Sequence, residues 1–211
     1  IRNTLIKQLP IAAVVLLVLG LHNGHAVVEI TPRISAGTEY TDNVRLVPDD
    51  AEIGPESDYI TTITPGITVD VHGRSAGLAL SYDPGYVNYH DDTYDDYWRH
   101  AANLDGWWQS GRHTRFALTN AFLRTEDPIS NEDLTVRRSR NPYTRNTANI
   151  SIEQQFGSEN VATAAFEYGI LENEDPSIDD SQVYVPSIEL TYWLNVKWGF
   201  DLSAEFIRAE Y

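Results

Sequence analysis

The chain has 211 residues, 42% of them hydrophobic, with 15 Lys plus Arg against 31 Asp plus Glu and no cysteine or methionine. A formal net charge of −16 argues against nucleic acid as a partner, because phosphates demand the opposite sign. Without cysteine no disulfide holds the fold, which must rest on its core, its strand ladders or a membrane.

The first segment carries Arg2 and Lys7, then the apolar run Ile11 to Leu21, then the small residues Gly24 and Ala26. A helix needs about 20 apolar residues to span a bilayer, and this run is much shorter. It reads as a secretory signal peptide over 1–26, cleaved after Ala26. Its removal leaves 13 Lys plus Arg against 31 Asp plus Glu, a net charge of −18. Nothing later in the chain approaches spanning length as a helix, which leaves a β-barrel as the membrane option.

From Val28 onward the chain alternates with period two, the signature of strands with one apolar face. In 28–40 Val28, Ile30, Pro32, Ile34, Ala36 and Tyr40 oppose Glu29, Thr31, Arg33, Ser35 and Glu39. In 58–72 Tyr59, Ile63, Pro65, Ile67, Val69 and Val71 oppose Asp58, Thr62, Thr64, Thr68, Asp70 and His72. The pattern repeats in 76–89, 98–109, 114–126, 143–156, 161–171, 183–194 and 199–211. Nine strands are expected and no helix. Most are longer than soluble sheets use and suit tilted membrane strands with extensions beyond the bilayer.

The connections alternate: longer at 41–57, 90–97, 127–142 and 172–182, short at 72–76, 110–113, 157–160 and 195–198. Short turns on one rim and longer loops on the other are expected of an antiparallel up-and-down transmembrane β-barrel, whereas a Greek-key sandwich has no reason to keep that order. Aromatic residues fall near both rims. Trp108, Phe116, Phe156, Trp198 and Phe200 lie toward the short turns, and Tyr40, Tyr59, Tyr86, Trp98, Phe122, Tyr168 and Tyr184 toward the long loops. Two membrane-interface girdles are expected.

The stretch 86–100, "YVNYHDDTYDDYWRH", packs four aspartates, two histidines and five aromatic rings together. It reads as a wet loop apex between the third and fourth strands, its flanking rings belonging to a girdle; a charge run is usually a solvated face. The other long loops share the acidity, through Asp49, Asp50, Glu52 and Glu56, then Glu126, Asp127, Glu132 and Asp133, then Glu172, Glu174, Asp175, Asp179 and Asp180. No resident metal or cofactor is expected.

The residues "YTDN" at Tyr40 to Asn43 and "TPGI" at Thr64 to Ile67, set in "PRISAGTEYTDNVRL" and "DYITTITPGITV", resemble the outer-membrane β-barrel porins grouped as "putative β-barrel porin 2". The resemblance implies a barrel over 27–211 in the outer membrane of a Gram-negative bacterium, in contact with lipid and lipopolysaccharide. Some relatives accompany exopolysaccharide or protein-sorting gene clusters, and the family brings no catalytic residues. Nine strands where bacterial single-chain barrels have an even count, no initiating Met and an end at Tyr211 inside a strand together read as a C-terminally truncated fragment. An eight-strand count that drops 28–40 would turn the long loops toward the periplasm, so nine is preferred.

With the apolar parity toward lipid, the lumen would receive Glu29, Arg33, Asp58, Asp70, Asp83, Arg99, Asp105, Arg145, Glu153, Glu167, Glu189, Asp201 and Glu205. Such an acidic wall favours cations, and the leading expectation is a porin or export channel for small solutes or a polymer. In a narrow barrel the same groups would instead be cross-lumen ion pairs. The alternative is a non-transporting barrel whose acidic loops bridge through divalent cations to surface polysaccharide. Catalysis is not expected: His90 and His100 flank the aspartates, but His100 has the lipid-facing parity, and no nucleophile has a recognisable elbow, since the one G-x-S-x-G spacing, Gly73 to Gly77, falls in a short turn between two strands and not between a strand and a helix.

Overall fold

The computed structural model describes residues 26–45, 54–91, 93–127 and 140–211. All but Ala26 of the expected signal peptide lies outside the described residues, as do Asp49, Asp50, Glu52, Asp92, Glu132 and Asp133. The strands are β1 (Val27–Thr41), β2 (Asp58–His72), β3 (Ala76–Tyr89), β4 (Tyr97–Ser110), β5 (Thr114–Thr125), β6 (Tyr143–Phe156), β7 (Asn160–Asn173), β8 (Ser181–Asn195), β9 (Trp198–Glu205) and β10 (Arg208–Glu210).

Each strand from β1 to β8 pairs antiparallel with the next, and β9 and β10 both pair with β8. This is the all-β, up-and-down meander expected, in one sheet. Among the described residues β1 pairs only with β2, so the sheet is open. The tenth strand continues the ninth in one register: Ser187 faces Glu205 in β9, and Tyr184 faces Arg208 in β10. The interruption falls opposite Pro186, which has no N–H to give to the ladder.

The turn chemistry follows the loop lengths. Gly111 and Gly157 adopt φ values of 76° and 63° in the short β4–β5 and β6–β7 turns, a region that residues with a Cβ seldom occupy. In the β8–β9 turn the Asn195 side chain accepts from the backbone N–H groups of Lys197 and Trp198 at 2.9 and 3.1 Å.

The apolar face is bare. Ile30, Ile34, Ile63, Ile67, Leu80, Trp98, Trp108, Ile150, Ile188 and Leu202 are exposed, Ile34 by 75%. Aromatic rings sit at both ends of this face as directly opposed cross-strand pairs. Tyr40 meets Tyr59, Tyr86 meets Trp98 and Tyr168 meets Tyr184 at the long-loop end, with centroids 5.0, 5.3 and 5.2 Å apart. Trp108 meets Phe116 and Tyr192 meets Phe200 at the short-turn end, at 5.2 and 5.5 Å. The buried cluster lies elsewhere, at the long-loop end, where Val44, Val87, Tyr89 and Tyr97 pack with Ile60 and Tyr94.

Candidate functional site

The opposite parity forms a polar face. Arg33, Thr68, Ser81, Asn103, Asp105, Thr119, Asn149 and Glu167, drawn from β1 through β7, line one hollow of about 490 Å³. Groups on seven neighbouring strands reach a common hollow because the sheet curves toward this side.

The register aligns the charges in rungs. Glu29 faces Asp70, Asp70 faces Ala79, and Ala79 faces Asp105. The rung continues from Asp105 to Thr119, Asn149 and Glu167. Four of the thirteen acids and bases picked from the sequence are thereby brought onto one rung. A second rung, nearer the short turns, runs from Arg115 to Glu153, Thr163, Glu189 and Ser203. Asp201 lies on the same end and accepts from Thr191 at 2.6 Å, while Glu205 faces Ser187.

Arg33 and Asp83 form an ion pair across β2, with Arg33 Nε donating to Asp83 Oδ1 at 2.8 Å. The pair passes over Gly66, where a Cβ would stand 2.2 Å from Asp83 Oδ1 and 2.9 Å from Arg33 Cγ. Near the short turns Trp107 lies against Gly77, its register partner, and Arg115 stacks on that ring at 5.2 Å.

At the long-loop end the loops fold over the polar face. Tyr89 and Tyr97 have the polar parity, so they belong to the buried cluster and not to the aromatic pairs of the apolar face. Of the rings flanking "HDDTYDD", expected to be largely girdle, Tyr86 and Trp98 stand on the apolar face and Tyr89 and Tyr97 do not. The packing is possible because Val44, from the β1–β2 loop, sits fully buried on Val87, Tyr89 and Tyr97.

Arg140 ties this cap together. It donates to the Tyr89 hydroxyl at 2.8 Å and the Val44 carbonyl at 3.3 Å, and it stacks on Tyr89 and Tyr94 at 5.5 and 5.8 Å. Asp127 faces it at 3.4 Å and also accepts from the Tyr97 hydroxyl at 2.9 Å. Burial pushes the Tyr89 phenol up to about 12, against the opposing pull of Arg140.

Asp58 departs from its expected place in an open acidic wall. It is fully buried, accepting from the Asp91 backbone N–H at 3.0 Å and from the Thr93 hydroxyl. Burial alone would raise its pKa, but these donors together hold it below the usual carboxylate range. Asp96 is likewise lowered, by bonds from the Tyr86 hydroxyl, Asn88 and the Tyr89 N–H. The β3–β4 loop is therefore a hydrogen-bonded bracket and not only a wet apex.

His90 contacts Thr61 at 2.8 Å, and His100 contacts the Tyr82 hydroxyl at 2.8 Å, so each imidazole is engaged apart from the neighbouring aspartates. Among the described residues no group of three or more His, Cys, Asp or Glu is arranged to hold a metal ion.

Arg140, Tyr89, Tyr97 and Tyr143 were not singled out by the sequence reading, and Asp127 entered it only as one acid of a long loop. For the tyrosines the signal was present, since positions 89, 97 and 143 fall on the polar parity of their strands; for the two loop residues no periodicity exists to reveal them. A protein-family model described as "Putative beta-barrel porin 2" matches residues 20–165. No curated protein and no solved structure matches the chain.

Proposed function

The chain belongs to this porin family, and from that premise we propose that it forms the wall of a transmembrane β-barrel in the outer membrane, with its polar face lining a water-filled pore. The observation that carries the reading is the division of the sheet into an exposed apolar face and a concave polar one. Apolar side chains exposed from β1 to β9, with aromatic pairs at both ends, match what lipid tails and two headgroup layers require. In hydrocarbon the free edge of β1 must pair, either with the outer edge of β9 or with further strands, because an open ladder is too costly there.

The rung of Glu29, Asp70, Asp105 and Glu167 gives the pore wall an excess of negative charge. Four carboxylates on this face raise the local cation concentration and disfavour anions. Cations and small polar solutes are the cargo this wall fits, with lipid and lipopolysaccharide against its apolar side.

The test is conductance in a planar bilayer, with reversal potential read under a salt gradient. Cation-selective steps are expected, and neutralising Asp70→Asn, Asp105→Asn and Glu167→Gln together lowers that selectivity several-fold. Steps whose selectivity ignores the triple change would overturn the acidic-lumen reading.

The cap at the long-loop end supports a second reading. Loops that close over the polar face suit a non-transporting barrel that presents its rim to a surface polymer or to divalent cations. A folded, heat-modifiable protein with no conductance would favour it.

A further inference from the structure

We propose that Arg99 and Arg145, beside the Tyr143 hydroxyl at the capped end of the polar face, form a binding site for a small oxyanion, the phosphate or carboxylate group of a solute. The inference rests on two guanidiniums that the described residues leave unsatisfied, in a chain whose net charge is −16.

Among the described residues Asp127 is the carboxylate that faces Arg99 and Arg140. Asp127 is already engaged: Oδ1 accepts from Tyr97 at 2.9 Å and faces Arg140 at 3.4 Å, and Oδ2 accepts from Thr125 at 3.1 Å. Arg99 comes no nearer to it than 3.9 Å, beyond hydrogen-bond range. The Nε of Arg99 is buried with no partner among the described residues.

Arg145 forms no hydrogen bond or ion pair with any described residue. Its register neighbours on the two flanking strands are Leu123 and Leu171, which offer it nothing polar. Arg99 and Arg145 share the polar face at this end: His100 faces Arg124 and Thr125 faces Tyr143, which sets Arg99 one strand away from Tyr143, and Arg145 follows Tyr143 by two residues on the same face of β6. Two planar donor forks with unused N–H groups, next to a phenol, are the chemistry that grips a carboxylate or phosphate. Arg140, by contrast, is spent on the cap.

The site is tested on the full chain refolded in detergent, by titrating inorganic phosphate in a calorimeter at constant ionic strength. Saturable binding of one phosphate per chain is expected, competed by sulfate and not by chloride, and weakened at least tenfold when Arg99→Gln and Arg145→Gln are combined. No saturable binding to the folded protein, or equal binding by the double variant, would overturn the site. If the double variant fails to give a heat-modifiable folded band, Arg145→Gln alone carries the test, because that side chain holds nothing in place; a loss of at least threefold is expected and an unchanged affinity would sink the proposal. No current is involved, so a chain that binds phosphate but does not conduct would keep the site and remove only the pore.

Discussion

Arg33 on β1 and Asp83 on β3 clasp one another across the intervening strand, over the one position there, Gly66, that has no side chain to obstruct them. The clashing atoms for an added Cβ are side-chain atoms, Asp83 Oδ1 and Arg33 Cγ and Nε, and not backbone, so Gly66→Ala should part the ion pair and spare the strand. With Arg33 47% exposed, the loss in thermal stability should be about 0.5–1 kcal/mol, with the sign of the reversal potential unchanged. Arg33→Gln differs, since it frees Asp83 and removes a positive charge. Its reversal potential should shift toward stronger cation preference, and a shift toward anions would contradict the placement of this pair on a conducting wall.

Arg140 offers a sharper energetic test. Its removal leaves the Tyr89 hydroxyl, the Val44 carbonyl and Asp127 without a shared donor in a largely buried setting. Arg140→Gln should therefore destabilise the cap by about 2–3 kcal/mol. Hydrogen exchange reads this locally. The Val44 amide, bonded to the Glu56 carbonyl at 2.8 Å, should lose protection by about 30- to 150-fold, while the central amides of β5 to β7 keep theirs. Uniform loss across the sheet would mean that the cap and the wall unfold as one unit.

The bracket around Asp58 sets a pH limit on that cap. Its folded pKa is lowered, so its contribution is present above the unfolded carboxylate value of about 3.9 and disappears as pH falls through the lower folded value. Asp96 shifts in the same direction and works with it. The Asp91 amide should thus stay protected at pH 5 and open only below about pH 4. Asp58→Asn should lower that protection at neutral pH and flatten its acid dependence. An Asp91 amide that opens in the His range instead would show that an imidazole, and not Asp58, holds the loop.

The strands and the alternation of short and long connections were legible because a single-layer sheet with unlike faces writes its period of two into every strand. The charged wall followed from the same parity, and the rung through Asp70 and Asp105 adds only the register, which depends on pairing between strands. What parity could not supply is contact across distance. Val44 and Arg140 meet across 96 positions, and neither lies in a periodic segment. Tyr89 and Tyr97 were missed for another reason: aromatic residues near a rim suit either face, and the loop packed above them decides what they do there.

Pro186 divides what would otherwise be one last strand. The Phe206 N–H donates to the Pro186 carbonyl at 3.1 Å, and the constant register on either side places these two residues opposite one another. In an antiparallel pair of this kind both residues normally donate, and proline cannot return the bond. Pro186→Ala restores the missing donor and should join β9 to β10, with a gain of about 0.5–1 kcal/mol. The substitution also loosens the unfolded chain, which opposes the gain by up to about 1 kcal/mol. Exchange at Phe206, Ile207 and Arg208 separates the two effects. Slower exchange there with little change in thermal midpoint would mean that the ladder closed and the entropy offset it. Unchanged exchange would mean that the break is set by the bend at Phe206 and Ile207 and not by the absent N–H.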